Sequence, residues 1–111
     1  MADFTPEEVI QVVLDGRKCR GANLQDIDLV KADLVKANFA EANLSSANLR
    51  GADLRWADLT GANLRRASLT GADLFKADLR EAKYNANTKW PVLPQPEGFD
   101  PEAAGAVLVG G

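Results

Sequence analysis

The chain has 111 residues, a formal net charge of −3, one cysteine and no histidine. This length suits one domain, and the small negative charge provides no positive field to attract nucleic acid or anionic lipid. The single cysteine excludes an internal disulfide framework, and the usual proton shuttle and commonest metal ligand are missing without histidine. The acidic start, MADFTPEEV, and the lack of a run of about twenty apolar residues predict a soluble cytoplasmic protein with no membrane partner.

The first predicted element is a short helix over about residues 6–15. Thr5 suits the N-cap, Pro6 suits the first helical position, and Glu8 completes a capping box. Gly16 suits a left-handed C-cap. An apolar stripe at helical spacing consists of Val9, Ile10, Val13 and Leu14. We interpret residues 1–16 as a capping helix.

The next segment, residues 22–86, consists of thirteen consecutive five-residue units, from ANLQD and IDLVK to ADLRE and AKYNA. The first position is Ala, the second is Asp or Asn, and the third is Leu in nearly every unit, whereas the fourth and fifth vary. The exceptions are Ile27 in the first position, Ser68 and Lys83 in the second, and Phe39 and Tyr84 in the third. Residues 17–21 fit the same frame with Cys19 in the third position, so the predicted repeat domain spans 17–86.

A period of five fits neither a helix nor a strand. Ala and Leu lie two residues apart, and the next Ala follows three residues after the Leu. This spacing predicts a short extended segment with Ala and Leu on one side and Asp or Asn on the other, followed by a tight turn. Repetition of such a unit predicts a solenoid, in which each unit buries its apolar side only by stacking on its neighbours.

The repeat resembles the A(D/N)LXX consensus of the pentapeptide repeat family. The resemblance implies an all-β fold, a right-handed quadrilateral β-helix with four units per coil, to which the predicted N-terminal helix is added. Every twentieth residue then stacks, and the third positions form the structural core. The expected columns are Leu24, Leu44, Leu64 and Tyr84; Leu29, Leu49 and Leu69; Leu34, Leu54 and Leu74; and Cys19, Phe39, Leu59 and Leu79. Cys19 is therefore interpreted as a core residue and not as a nucleophile.

The fifth position of each unit carries the turn. Gly at 21, 51, 61 and 71 suits a type II turn, which requires a positive φ at that place. The bulkier occupants are expected to prefer a tighter turn of another type, which predicts mixed turn types. These occupants are Lys31, Lys36, Glu41, Trp56, Arg66 and Lys76.

Residues 87–111 form a proline-rich tail that leaves the repeat register. Pro91, Pro94 and Pro96 predict a stiff, irregular link, and the sequence around Pro101 predicts a short helix over 103–108. The tail resembles the YNxxTKWPEGFDP tail of cyanobacterial family members, with VLPQP inserted. We expect Trp90 or Phe99 to cover the last coil, with Trp90 docked and the final residues mobile, whereas the prolines favour a loose linker.

Asp33, Asp53 and Asp73 form the nearest arrangement to a chemical site, because stacking places their carboxylates about 4.8 Å apart. Such a ladder could hold Ca²⁺. The alternative is that second-position Asp and Asn side chains bind backbone groups at the turns and meet basic neighbours, and the repetition of this residue type on every side favours that alternative. No metal or other cofactor is expected.

The outward fourth and fifth positions are unusual on the same side. They combine two aromatic rings and a valine with cations, a composition typical of protein interaction sites. The candidate interaction face consists of Val35, Lys36, Arg55, Trp56, Phe75 and Lys76. The alternatives are coverage by the helix or tail of the same chain, and stacking with single-stranded bases, which the neighbouring aspartates disfavour.

The sequence carries no catalytic motif, so it predicts a non-catalytic scaffold that binds another protein, not an enzyme. The alternative implied by the family is a mimic of duplex DNA that binds DNA gyrase or topoisomerase. Residues 22–86 contain nine acidic and nine basic residues, and this neutrality argues against mimicry. Nucleic acid is not an expected partner. The expected assembly is a monomer or a weak homodimer through one end of the solenoid.

Overall fold

A computed structural model describes residues 5–14, 19–91 and 101–110. Helix α1 spans Pro6–Leu14. The amide of Thr5 donates to Glu8 Oε1 at 2.8 Å and the amide of Glu8 donates to Thr5 Oγ1 at 3.2 Å, which confirms the predicted capping box. Val9 is fully buried in the same hydrophobic cluster as the repeats. Gly16, the predicted C-cap, lies outside the described residues.

The repeats form a coil that returns to the same place every twenty residues. Parallel bridges join Asn23 to Asn43, Asp28 to Asn48, and further second-position pairs with the same separation. Twenty residues are four units, so each coil has four sides. We name them by the first coil: side A is 22–24, side B 27–29, side C 32–34 and side D 37–39, each with its stacked equivalents.

Backbone hydrogen bonds hold successive coils together. On side A, Leu24 N donates to Asn43 O at 2.7 Å and Asn43 N donates to Ala22 O at 2.9 Å. At the turn that follows, Asp26 N donates to Ser45 O at 3.0 Å. The same three bonds recur on the other sides, so the coils satisfy their own backbone donors and acceptors.

The core lies along the inside of the coil. First- and third-position side chains point inward, and every predicted third-position core residue from Cys19 to Tyr84 is buried. Ile27, the exception to Ala in the first position of the units at 22–86, is also buried. Burial raises the pKa of the Cys19 thiol, which disfavours the reactive thiolate and fits a packing role.

The prediction of mixed turn types is wrong. All thirteen fifth positions from Gly21 to Glu81 have φ between 59° and 72°, whether they hold Gly or a bulky residue. Trp56 makes the same bonds as Gly51, because its amide donates to the fourth-position carbonyl of the next coil, Phe75 O, at 2.9 Å. These stacking bonds outweigh the cost of about 1–2 kcal/mol for an L-residue in this conformation.

One extra residue lies in the turn between sides A and B of the last coil. Ser68 pairs with Lys89, twenty-one residues away, instead of with a residue twenty away. Asn85 and Thr88 replace the backbone bonds that the insertion would disrupt: Asn85 Oδ1 accepts from Arg66 N at 3.1 Å, and Thr88 Oγ1 donates to Leu64 O at 2.8 Å. The coil therefore absorbs the insertion without losing its stacking.

The C-terminal segment adds another layer to side A. Strand β1, Lys83–Tyr84, pairs in parallel with strand β2, Val107–Leu108. The predicted helix over 103–108 is therefore wrong, and the amides of Val107 and Val109, near the end that was expected to be mobile, donate to Ala82 O and Tyr84 O at 2.7 Å. Gly105 has φ 96°, Ala106 is buried and Leu108 takes the third position, so residues 105–108 repeat the x-A-x-L pattern of the units. Stacking on the open edge of β1 supplies bonds that an isolated short helix lacks.

Trp90 is docked against the last coil as expected. It is half-buried, packs on the core cluster, and its ring meets that of Tyr84 edge to face with centroids 5.4 Å apart. Phe99, Pro94 and Pro96 lie outside the described residues. No helix in the described ranges is long and apolar enough to cross a membrane.

Leu54→Lys should prevent folding. Leu54 is fully buried on side C, and an unpaired charge there has no partner inside the coil, while total stability is only about 5–15 kcal/mol. Thermal melting followed by circular dichroism should show no cooperative transition.

The matched control is Val30→Lys, because Val30 is a fourth-position residue that is 43% exposed. It should melt close to the wild-type temperature. A cooperative melt of Leu54→Lys near the wild-type temperature would contradict the inward placement of the third position.

Candidate interaction surface

The six residues of the candidate interaction face meet at the turns between sides C and D on three successive coils. We call this set the aromatic corner. Lys36 N donates to Arg55 O at 2.9 Å and Trp56 N donates to Phe75 O at 2.9 Å, so the fourth and fifth positions of adjacent coils lie side by side. The set consists of Val35, Lys36, Arg55, Trp56, Phe75 and Lys76.

Two exposed rings form the centre of the aromatic corner. Trp56 is 56% exposed and Phe75 is 59% exposed. Their rings meet edge to face with centroids 6.3 Å apart, and Lys76 Nζ lies 5.7 Å from the Phe75 centroid. Both the ring pair and the cation contact have favourable geometry. The rings therefore hold a defined arrangement while remaining open to solvent.

Arg55 is fixed beside the rings by the aspartates of side C. Its Nε and Nη2 donate to Asp53 Oδ1 and Oδ2 at 2.8 and 2.7 Å, and its Nε lies 3.9 Å from Asp73 Oδ2. The bidentate bond lowers the pKa of the Asp53 carboxyl and raises that of the Arg55 guanidinium. Arg55 is thus held in place but largely neutralised. Val35 is half-buried and contributes less exposed surface than the sequence suggests.

The aspartates of side C mainly serve the turns. Asp33, Asp53 and Asp73 each accept a hydrogen bond from the amide two residues on, at 3.3, 3.2 and 3.0 Å. Asn and Asp on the other sides do the same, as with Asn43 and Asp58. This pattern confirms the expected turn role of the second position. In the described ranges, no group of three or more His, Cys, Asp or Glu residues is arranged to hold a metal ion.

The sequence did not predict which side chain binds an arginine in the fourth position. Arg80 binds Asp78 of its own unit, with Nη2 2.6 Å from Oδ2, just as Arg55 binds Asp53. Arg50 has Asn48 in that place and instead donates from Nε to Ser68 Oγ at 3.1 Å. The signal was present in the sequence, because an Asp-x-Arg unit can pair internally and an Asn-x-Arg unit cannot.

Arg55→Gln should raise the pKa of Asp53 towards the ordinary value of about 3.9. Because the folded-state pKa of Asp53 is lowered, its contribution to stability is present above the unfolded-state pKa and is lost as pH falls through the folded-state value. Stability of the variant should therefore depend less on pH in acid. NMR titration of the Asp53 carboxyl measures the pKa directly.

The control for that titration is Arg80→Gln, which should raise the pKa of Asp78 and leave that of Asp53 unchanged. If the Asp53 pKa in Arg55→Gln matched the wild-type value, the bidentate contact would not be its cause.

Similar solved structures come from cyanobacteria and from a plant. One is a pentapeptide repeat protein from Nostoc Pcc 7120, with 36% identity over 95% of this chain and 96% of that one, and a TM-score of 0.44. Another, from the thylakoid lumen of Arabidopsis thaliana, has 33% identity over 60% of this chain and 50% of that one, with a TM-score of 0.47. A third, from the cyanobacterium Cyanothece 51142, has 38% identity over 63% and 54%, with a TM-score of 0.34.

A comparison with curated protein sequences finds no significant match. The family model for pentapeptide repeats matches residues 18–55 and 52–83, with eight copies of the repeat. These segments cover more than half of the chain and coincide with the stacked units of the coil. The chain therefore belongs to the pentapeptide repeat family.

Proposed function

We propose that this protein is a non-catalytic cytoplasmic scaffold that binds another protein through the aromatic corner. Pentapeptide repeat proteins are generally non-enzymatic repeat scaffolds. The observation that carries the proposal is the exposed edge-to-face pair of Trp56 and Phe75. In this proposal the coil is a right-handed quadrilateral β-helix, α1 caps its first turn, and the protein is a monomer or a weak homodimer.

The aromatic corner has the composition of a binding hot spot. Trp and Arg are the residue types that dominate such sites, and their contribution is largest where surrounding groups exclude water. Lys36 and Lys76 flank the rings, and Arg55 is held by Asp53. Because the coil fixes the backbone and Asp53 fixes Arg55, the corner loses little conformational entropy on binding.

The balance of charge at the corner favours a protein partner. Asp33, Asp53 and Asp73 lie on side C beside the cations of the corner. They would repel the phosphates of a single strand stacked on the rings, since phosphate contacts supply much of the affinity for nucleic acid. A protein with an apolar pocket and a mixed polar rim fits this surface.

Trp56→Ser combined with Phe75→Ser should abolish partner capture without unfolding the coil. Each ring is more than half exposed, so its loss should leave the melting temperature nearly unchanged. A hot-spot ring typically contributes at least about 2 kcal/mol to binding, which corresponds to roughly a thirtyfold loss of affinity. A pull-down from native lysate with quantitative mass spectrometry, comparing wild type and variant, measures the loss.

Thr70→Ser combined with Val30→Ser provides the control, because both residues lie at the turns between sides B and C. This variant should capture the same protein as the wild type. A large loss of melting temperature in the Trp56 and Phe75 variant would instead mean that the rings stabilise the chain itself.

A further inference from the structure

The four arginines in the fourth position of the units within 22–86 fall into two electrostatic classes. Arg55 and Arg80 follow an aspartate in the second position of the same unit and bind it at 2.7 and 2.6 Å. Arg50 and Arg65 follow Asn48 and Asn63. Since the backbone of these four units is the same, the second position decides whether the arginine pairs within its own unit. Arg20, a fourth-position arginine of the unit 17–21, instead lies 3.6 Å from Glu41 of the next turn of the coil.

The second class keeps its positive charge unpaired. Arg50 Nε donates to the neutral hydroxyl of Ser68 at 3.1 Å. In the described part of the chain, no ion pair joins Arg50, Arg65 or Lys89 to a carboxylate. These cations are therefore available to an anion from outside the chain.

Cations gather on side B and at its two flanking turns. Its second-position column changes from acidic to basic along the coil: Asp28, Asn48, Ser68 and Lys89. Among the described residues, side B and its two flanking turns contain five cations, which we call the basic side, and the only carboxylates there, Asp26 and Asp28, belong to the first coil. The basic side consists of Lys31, Arg50, Arg65, Arg66 and Lys89.

Neighbouring coils bring the cations of the basic side together. A Cβ on Gly51 would stand 3.2 Å from Lys31 Cγ, so the stem of Lys31 lies over Gly51, next to Arg50. Ser68 links Arg50 to Lys89, because its hydroxyl accepts from Arg50 and its backbone pairs with that of Lys89. From the second coil onwards, the described residues of side B and its flanking turns thus present cations and hydroxyl groups without a carboxylate.

We propose that the basic side binds an acidic segment of another protein. Carboxylates of such a segment would pair with the terminal guanidinium nitrogens of Arg50 and Arg65, because Arg50 Nε already donates to Ser68 and Arg65 Nε is buried. The basic side is separate from the aromatic corner, so the proposal does not depend on binding there. Its partner class follows from charge complementarity, which governs specificity and association rate more than affinity.

The limited extent of the positive charge favours an acidic peptide over nucleic acid. Side C, with Asp53 and Asp73, lies directly beside side B, and the whole chain carries −3. A phosphate backbone long enough to extend past the basic side would meet these carboxylates. Side B also offers no exposed aromatic ring among its described residues on which a base could stack.

Asn48→Asp and Asn63→Asp test the proposal with the residue that the chain itself uses elsewhere. Each variant should neutralise its own arginine, as Asp53 and Asp78 do, and keep the hydrogen bond to the turn. Fluorescence anisotropy with a fluorescein-labelled oligo-glutamate peptide at low salt should show about a twofold to fivefold weaker affinity for each variant, the range for one exposed ion pair. Raising the salt to about 0.15 M should weaken wild-type binding and narrow the difference.

Asn38→Asp is the matched control, because it adds the same charge on side D in a unit whose fourth position is Ala40. It should bind the peptide as the wild type does, and all three variants should keep the wild-type melting temperature. If Asn48→Asp or Asn63→Asp melts at a lower temperature than the wild type, binding is measured with Arg50→Gln and Arg65→Gln instead, with Arg20→Gln as control. The same loss of affinity for the peptide is expected.

Several outcomes would overturn the proposal. One is failure of the wild-type protein to bind oligo-glutamate at low salt, and another is an equal loss in Asn38→Asp. Tighter binding of fluorescein-labelled oligo-thymidylate would assign the basic side to nucleic acid. Self-association in sedimentation that Asn48→Asp removes would assign it to a second copy of this chain.

Discussion

The backbone hydrogen bonds between coils are the constraint on which the rest of this structure depends. They repeat every twenty residues, as in the bond from Leu54 N to Asp73 O at 2.8 Å, and they fix which side chains point inward. The same bonds hold the fifth position in the left-handed conformation even where it is Trp56. Every side chain at the surface is therefore mounted on a fixed frame, and its neighbours are set by the stacking.

The inward residues were predictable because a period of five leaves few ways to place the apolar side chains of every unit on one side. Ala and Leu must share a side, and Leu54 is buried as that pattern requires. The turns were not predictable from residue preference, because local preference at Trp56 favours another turn and stacking overrides it. The strand at Val107–Leu108 was missed for a related reason: residues 105–108 show the repeat pattern only once, after a break in register, so no period marked them.

At the surface, the sequence predicted which residues meet but not how they are held. Trp56 and Phe75 occupy adjacent places in the repeat, and that was enough to predict an aromatic pair. The bidentate hydrogen bond from Arg55 to Asp53 depends on side-chain geometry within one unit. The repeat pattern does not describe that geometry. Composition alone therefore overstated the positive charge of the aromatic corner, since one of its cations is neutralised.

The same comparison shows where specificity can arise in a repeat of this kind. A balanced charge over the whole repeat does not mean a uniform surface, because the second position decides whether the arginine two residues later is paired within its own unit. Asp53 and Asp78 form ion pairs with the arginines of their own units, whereas Asn48 and Asn63 leave Arg50 and Arg65 without such a pair in their units. Asp and Asn are interchangeable for the turn, since both accept the same amide bond. Exchanging Asp for Asn in the second position therefore changes the charge of a face while the fold stays the same. This freedom lets one coil carry both the aromatic corner and the basic side.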